Sequence, residues 1–312
     1  MLSSIMAMLN KRKDNVQKPS ASSIILSLQW VHTKMGYIFF LILMAVILLL
    51  SILFSASIGV AGGSLNLLVD TLFHTNAPSD IGRIMLEMRI PRALTACFTG
   101  AAFALAGIVM QGVTRNMLAD AGLLGINAGA GFMIALTAVL LPELSQLGTM
   151  FAAFTGAALA VAMVYVLGIG RQNVSAIRLV LAGSAVSAFL TALSQSITLT
   201  FGLSKALSFW TAGSLSGITW EGLILVIPWI IGAGLCSLML SGRLSVLALG
   251  EESAVGLGVN VRAVRLLGIV VVLILAGASV SLVGGISFLG LIVPHIARFI
   301  VGEDYRRLLP VS

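Results

Sequence analysis

The chain has 312 residues, of which 59% are hydrophobic and 9% charged, against roughly 25% charged in an ordinary soluble domain. A mean hydropathy of +1.10 excludes a water-soluble enzyme, a free nucleic-acid binder and a disordered chain. The net charge of +7, from 18 Lys and Arg against 11 Asp and Glu, falls mostly between long apolar runs. It therefore points to a membrane surface and to topology rather than to nucleic acid.

Residues 1–36 form an N-terminal tail with Lys11, Arg12, Lys13 and Lys18. The stretch Ile24–Met35 mixes apolar residues with Gln29, Trp30, His32 and Lys34. It reads either as an interfacial amphipathic helix or as the lead-in to the first span. The membrane domain, residues 37–312, holds eight apolar runs of near-spanning length. They are Tyr37–Ile58, Pro91–Gln111, Leu123–Leu141, Leu147–Ile169, Leu179–Phe201, Leu223–Leu240, Leu266–Val283 and Ile286–Val301. Each must be helical, because an open strand leaves backbone groups unpaired in lipid. The third and eighth are short or interrupted by glycine. The first run is too long for a cleaved signal peptide and is followed by further spans, so it reads as a retained helix.

With the N-terminus in the cytoplasm, alternating spans place 14 of the 18 basic residues inside and 4 outside (Arg83, Arg89, Arg92 and Lys205). That asymmetry fixes the orientation. The predicted fold class is an all-α polytopic membrane protein with about eight helices in this chain.

Many of the 33 glycines lie within the spans, where small residues let helix backbones approach. The run Gly125-Ile126-Asn127-Ala128-Gly129-Ala130-Gly131 follows no strand, so it is not a dinucleotide fingerprint. Cys97 and Cys236 sit in apolar runs without metal-ligand spacing and read as core residues. His32, His74 and His295 are far apart. His295, after Pro294 in the eighth span, reads either as a functional ionisable group or as a neutral histidine on a carbonyl freed by the proline. No HExxH, GxSxG or P-loop pattern occurs, and the near absence of acids in the spans argues against an ion-driven carrier.

Two polar segments stand out. Glu87-Met88-Arg89-Ile90-Pro91-Arg92 sits at the outer mouth of the second span. Its arginines are either interface anchors or a docking point for a partner's carboxylates. The cytoplasmic loop at about 243–264 contains Gly250, Glu251, Glu252, Ser253, Ala254, Leu257, Gly258 and Val259. It predicts a short helix over 253–257 stopped by Gly250 and Gly258. It is either a surface linker or, given its many apolar positions, an insert for a partner's groove.

From about Ile58 to Ser312 the sequence resembles the FecCD-type permeases of cobalamin, iron–siderophore and haem ABC importers. Seven motifs agree in order over some 220 residues. They begin with Arg89-Ile-Pro-Arg92, Gly100-Ala-Ala through Gly107 to Gln111, and Asn116-Met-Leu-Ala119 with Leu124-Gly125 and Gly129-Ala130. Leu181-Ala-Gly183 and Trp210-Thr-Ala-Gly213-Ser-Leu follow. Leu249-Gly-Glu251 with Ala254 and Leu257-Gly-Val259 comes next, and Gly285 to Pro310, including Pro294-His-Ile-Ala-Arg298, completes the set.

The resemblance implies a path formed with a second permease subunit, identical or paralogous, two ATP-binding cassette subunits below and an extracytoplasmic solute-binding protein above. It implies that 250–259 receives the ATPase's motion, with ATP and Mg held by that partner and no cofactor bound by this chain. Arg89 and Arg92 correspond to docking arginines, Asn116 and Leu118 to a cytoplasmic gate, and Ala176 and Ile177 to a second gate. The expected cargo is a ferric siderophore, with haem or cobalamin as alternatives. The setting is the cytoplasmic membrane of a prokaryote. Met117 replaces the family's usual proline, which softens the turn there. The family usually has about ten spans in two inverted halves; by that resemblance the last two helices, and another basic docking residue between them, are missing from this sequence, which reads either as a fragment or as a shortened subunit. A secondary transporter or channel working without an ATPase is the rival reading, and a membrane-embedded enzyme the second.

Overall fold

The computed structural model describes residues 33–59, 62–73, 79–168, 176–203, 208 and 210–312. The tail reading at 24–32, His74, Arg171 and Lys205 lie outside the described residues. The chain divides into two units, 1–46 and 47–312, and every site below lies in the second. The described elements are all helical: α1 (Lys34–Ser57), α2 (Leu65–Phe73), α3 (Asp80–Ile84), α4 (Ile90–Thr114), α5 (Ile126–Leu140), α6 (Gln146–Gly168), α7 (Ala176–Thr200), α8 (Trp220–Ala248), α9 (Glu251–Gly256), α10 (Val261–Val283), α11 (Leu289–Val301) and α12 (Tyr305–Val311).

Each predicted span corresponds to one helix. Among the described residues, six helical stretches are long and apolar enough to cross a membrane, while α5 and α11 fall short. The chain is a multi-pass membrane protein. The second span differs most from its prediction, because α3, a π-turn at Met85–Arg89 and α4 run on as one 35-residue helix from Asp80 to Thr114. Charges at Arg83, Glu87, Arg89 and Arg92 make the sequence read as a boundary there. Pro91 has no N–H and its ring crowds the carbonyl of Glu87; widening the preceding turn accommodates both without ending the helix.

Helix α4 is the hub. Its second half, Ala102–Thr114, is almost wholly buried against α8, α10 and α11. Small residues set the spacing. A Cβ on Gly107 would collide with the Gly290 carbonyl of α11, and Gly129 of α5 and Gly156 of α6 meet reciprocally in the same way. Close approach of this kind replaces the hydrophobic drive that lipid abolishes. Large side chains such as Leu159, Phe189, Leu235 and Met239 point outward; in a hydrocarbon solvent they carry no penalty.

The helix ends sort into two groups. At one end Ser245 Oγ donates to Asp304 Oδ1 at 2.8 Å, and a Cβ on Gly250 would sit 4.0 Å from Arg115 Nη2. At the other, Trp220 Nε1 donates to Leu86 O at 2.9 Å and Gln146 Nε2 to Gly217 O at 3.2 Å. The charge asymmetry of the sequence assigns the first group to the cytoplasmic end.

Candidate coupling and translocation sites

Helix α8 runs 29 residues to Ala248 before the chain turns at Gly250, whose φ of 130° disfavours any side chain. Helix α9 then covers Glu251–Gly256, beginning two residues before the predicted start. Gly258, at φ 78°, closes it, with Val259 N–H bonding Ala254 O at 2.9 Å. Asn260 Oδ1 accepts from Ala263 N at 3.0 Å and so starts α10.

This short helix is fixed from beneath and apolar on top. Ala254 is completely buried. Arg265 of α10 grips Glu251 with both terminal nitrogens, at 2.9 and 3.3 Å, a bidentate geometry specific to arginine. Glu252 is exposed, as are Leu249, Val255 and Leu257, the last two at 61% and 66%. The two glutamates that read alike in sequence therefore differ: Glu251 holds α9 on the bundle, and Glu252 faces outward beside the apolar residues.

The predicted gate residue Asn116 lies in the turn after α4. Arg115 ends that helix in the left-handed conformation (φ 52°), Asn116 N–H caps it on Gln111 O, and Asn116 Oδ1 accepts from Leu118 N at 2.9 Å. That side-chain bond holds the turn without the proline usual at position 117. Leu118 is 73% exposed. The turn is thus at the same end as Gly250, with Arg115 between them. Ala176 opens α7, and the next residue, Ile177, is exposed.

At the other end the two arginines separate in role. Arg89 donates to Ser57 O at 3.2 Å and to Gly62 O at 2.7 Å, and its guanidinium fills the space beside Gly59 and Gly63. It ties the loop after α1 to the π-turn. Arg92 is exposed and, among the described residues, donates only its Nε, to Leu215 O at 3.2 Å, leaving the tip of its guanidinium outward. Replacing Arg89 by Ala is expected to lower the thermal stability of the detergent-solubilised protein by about 2 kcal/mol. Arg92→Ala is expected to leave it within about 0.5 kcal/mol; equal effects on unfolding would remove the distinction.

A feature unremarked in the sequence reading is a polar stripe on α7. Ser184, Thr191 and Gln195 are exposed and Ser187 is half-buried. Their spacing of three, four and four residues puts them on one face. Thr191 and Gln195 open into a cavity of about 260 Å³ with Asn127, Trp210, Thr211 and Ser287. Trp210 also borders a polar cavity of about 360 Å³ at the outer end, with Gln146, Ser214 and Ser216. Hydrogen-bonding side chains at this depth belong beside water, not lipid. His295 is exposed on α11 and has no hydrogen bond among the described residues, so the carbonyl-paired reading is not seen. No cluster of three or more His, Cys, Asp or Glu suited to a metal occurs among the described residues.

The cytoplasmic end also carries α12. Asp304 caps it by accepting from Arg306 N at 3.1 Å and from Ser245 Oγ. Partial burial pushes its carboxyl up, but the bonds from Ser245 and Arg306 and the charges of Arg306 and Arg307 outweigh this and hold its pKa below the ordinary value. A depressed pKa stabilises the fold above the unfolded-state value and the gain vanishes as pH falls through the folded one. Docking of α12 is therefore expected to persist through neutral and mildly acidic pH and to weaken only below the usual carboxylate range. Hydrogen exchange of the Leu308 and Leu309 amides against pH checks this; loosening already near pH 6 would contradict it.

The profile of the FecCD transport family matches residues 46–312. The chain belongs to the FecCD transport family. Among FecCD relatives, the iron(3+)-hydroxamate import system permease protein FhuB of Bacillus subtilis is 37% identical over 287 residues, covering 91% of this chain and 74% of that protein. The ferric enterobactin transport system permease protein FepD of Escherichia coli is 42% identical over 231 residues, 73% of this chain and 69% of its own length. The hemin transport system permease protein HmuU of Yersinia pestis is 37% identical, with coverages of 87% and 80%. A solved structure described as an inward-facing metal-chelate type ABC transporter superposes with a TM-score of 0.75 at 27% identity, over 87% of this chain and 84% of that one. As a FecCD protein with this fold, the chain is a transmembrane permease subunit of the ABC-importer class and not an enzyme.

Proposed function

We propose that this permease imports a ferric chelate, most simply a siderophore complex, across the cytoplasmic membrane of a prokaryote by alternating access. The observation that carries the reading is α9: a helix anchored by Ala254 and the Glu251–Arg265 pair, flanked by left-handed glycines, with Val255 and Leu257 presented outward. Exposed apolar side chains at a helix beyond the lipid need a protein groove. Because α9 is anchored to α10 and follows α8 directly, force applied to it is passed to both. In this reading two ATPase subunits hold ATP and Mg and seize α9, a second permease copy or paralogue completes the path, and a solute-binding protein docks outside at Arg92. Arg89 shapes that docking loop from within. The neutral stripe on α7, with Asn127 and Gln195, gives the path hydrogen-bonding walls that no single chelate can hold tightly, as a conduit needs. Asn116 and Leu118, with Ala176 and Ile177, flank its cytoplasmic mouth.

The test is uptake. Cells carrying Thr191→Leu with Gln195→Leu are expected to take up ferric hydroxamates, ferric citrate or ferric enterobactin about tenfold more slowly, a barrier increase of about 1.4 kcal/mol, at unchanged membrane expression. Haem and cobalamin in the same panel decide the cargo class. Glu252→Lys is expected to weaken ATPase co-purification without altering thermal unfolding, whereas Glu251→Lys alters both. A chain that purifies alone and transports without an ATPase would favour a secondary carrier or channel.

A further inference from the structure

An open groove of about 540 Å³ runs between α8 and α10, bordered by Trp229, Gly232, Cys236, Met239, Val270 and, at its cytoplasmic end, Arg243. Small residues create it: a Cβ on Gly232 would meet nothing within 4 Å, and Cys236 is exposed beside it. From Pro228 to Arg243 the groove follows about 22 Å of helix, more than the roughly 15 Å half-thickness of a bilayer's hydrocarbon core. Among the described residues its only charged lining residue is Arg243, five residues before the end of α8 and three beyond the apolar run Leu223–Leu240, where the sequence's apolar length and charge asymmetry put the cytoplasmic headgroup region. The groove is also remote from the polar face. Helix α7, with the stripe, packs on α5 and α6, whereas α8 packs on α4 and α10.

We propose that this groove is a binding site for one anionic phospholipid of the cytoplasmic leaflet, an acyl chain lying along Gly232 and Cys236 and the phosphate meeting Arg243. A slot lined by apolar side chains and ended by one guanidinium matches a molecule that is hydrocarbon along its length and anionic at one tip. Arginine suits that tip because its fork pairs with phosphate oxygens. A lipid held between α8 and α10 would also brace the two helices that carry α9, so its occupancy would set the stiffness of that lever.

The full chain is placed in nanodiscs of equimolar phosphatidylglycerol and phosphatidylcholine with identical tails, and the lipid retained on release is measured by native mass spectrometry. The wild type is expected to retain phosphatidylglycerol about fivefold over phosphatidylcholine, the weight of one cation at an anionic surface. Arg243→Gln abolishes the preference and Arg243→Lys keeps part of it. Gly232→Leu fills the slot and reduces total retained lipid while helical content stays unchanged. Equal retention of the two lipids by the wild type, or lipid binding indifferent to both Arg243→Gln and Gly232→Leu, would overturn the site. So would efficient oxidative cross-linking of two chains through Cys236, which would put a second copy in the groove.

Discussion

Replacing Val255 and Leu257 together by Asp is expected to abolish uptake while leaving the helix bundle as stable as before. Both side chains are more than 60% exposed, so the bundle beneath gains little from them. The helix stays in place through Ala254 and the Glu251–Arg265 pair, which the substitution does not touch. Two carboxylates in an apolar partner groove would each be desolvated without a counter-charge, costing the complex several kcal/mol, or about a thousandfold in affinity. The measurement pairs transport with ATP hydrolysis of the purified assembly, alongside thermal unfolding of the permease. Loss of transport with an unchanged unfolding midpoint is the expected pattern. Normal transport by the double variant would remove α9 from the coupling role.

The second large effect is on the fold itself. Gly107→Val is expected to destroy the α4–α11 contact, because its Cβ would coincide with the carbonyl of Gly290, backbone that cannot swing aside. The helices would have to part, exposing the buried Gln111 side chain, whose Nε2 donates to that same carbonyl at 3.4 Å. A loss above about 3 kcal/mol follows from overpacking combined with the broken bond. Gly100→Val, seven residues earlier on the same helix, meets nothing within 4 Å and should be nearly neutral. Size-exclusion profiles after heating separate the two; equal stability of both variants would mean that close approach at Gly107 is not what joins these helices.

How much of this was legible in the residues varies with the physics involved. Apolar length alone locates the spans, because a membrane imposes one requirement on every helix. The stop at Gly250, the short helix and the Gly258 exit are legible too, since glycine punctuation is local. The uninterrupted passage from Asp80 through Arg89 to Pro91 is not, because charge and proline both signal an end and the π-turn that reconciles them has no composition of its own. The division of labour between Glu251 and Glu252 depends on Arg265, fourteen residues away beyond a turn. Arg89 reads as a docking cation until its carbonyl partners on the preceding loop are seen. The stripe of Ser184, Ser187, Thr191 and Gln195 has helical spacing that can be read by eye. Its members are small and neutral, though, and resemble the packing residues that fill the other spans.

The central claim, that this chain is a gate driven from outside itself through α9, is tested most directly in proteoliposomes holding the permease with its ATPase. ATP is enclosed with the ATPase, and the binding protein and radioactive ferric chelate are supplied on the opposite face. Accumulation that requires ATP and is lost when Val255 and Leu257 become Asp is the expected result. Accumulation by the permease alone, driven by a proton or sodium gradient and indifferent to ATP, would contradict it.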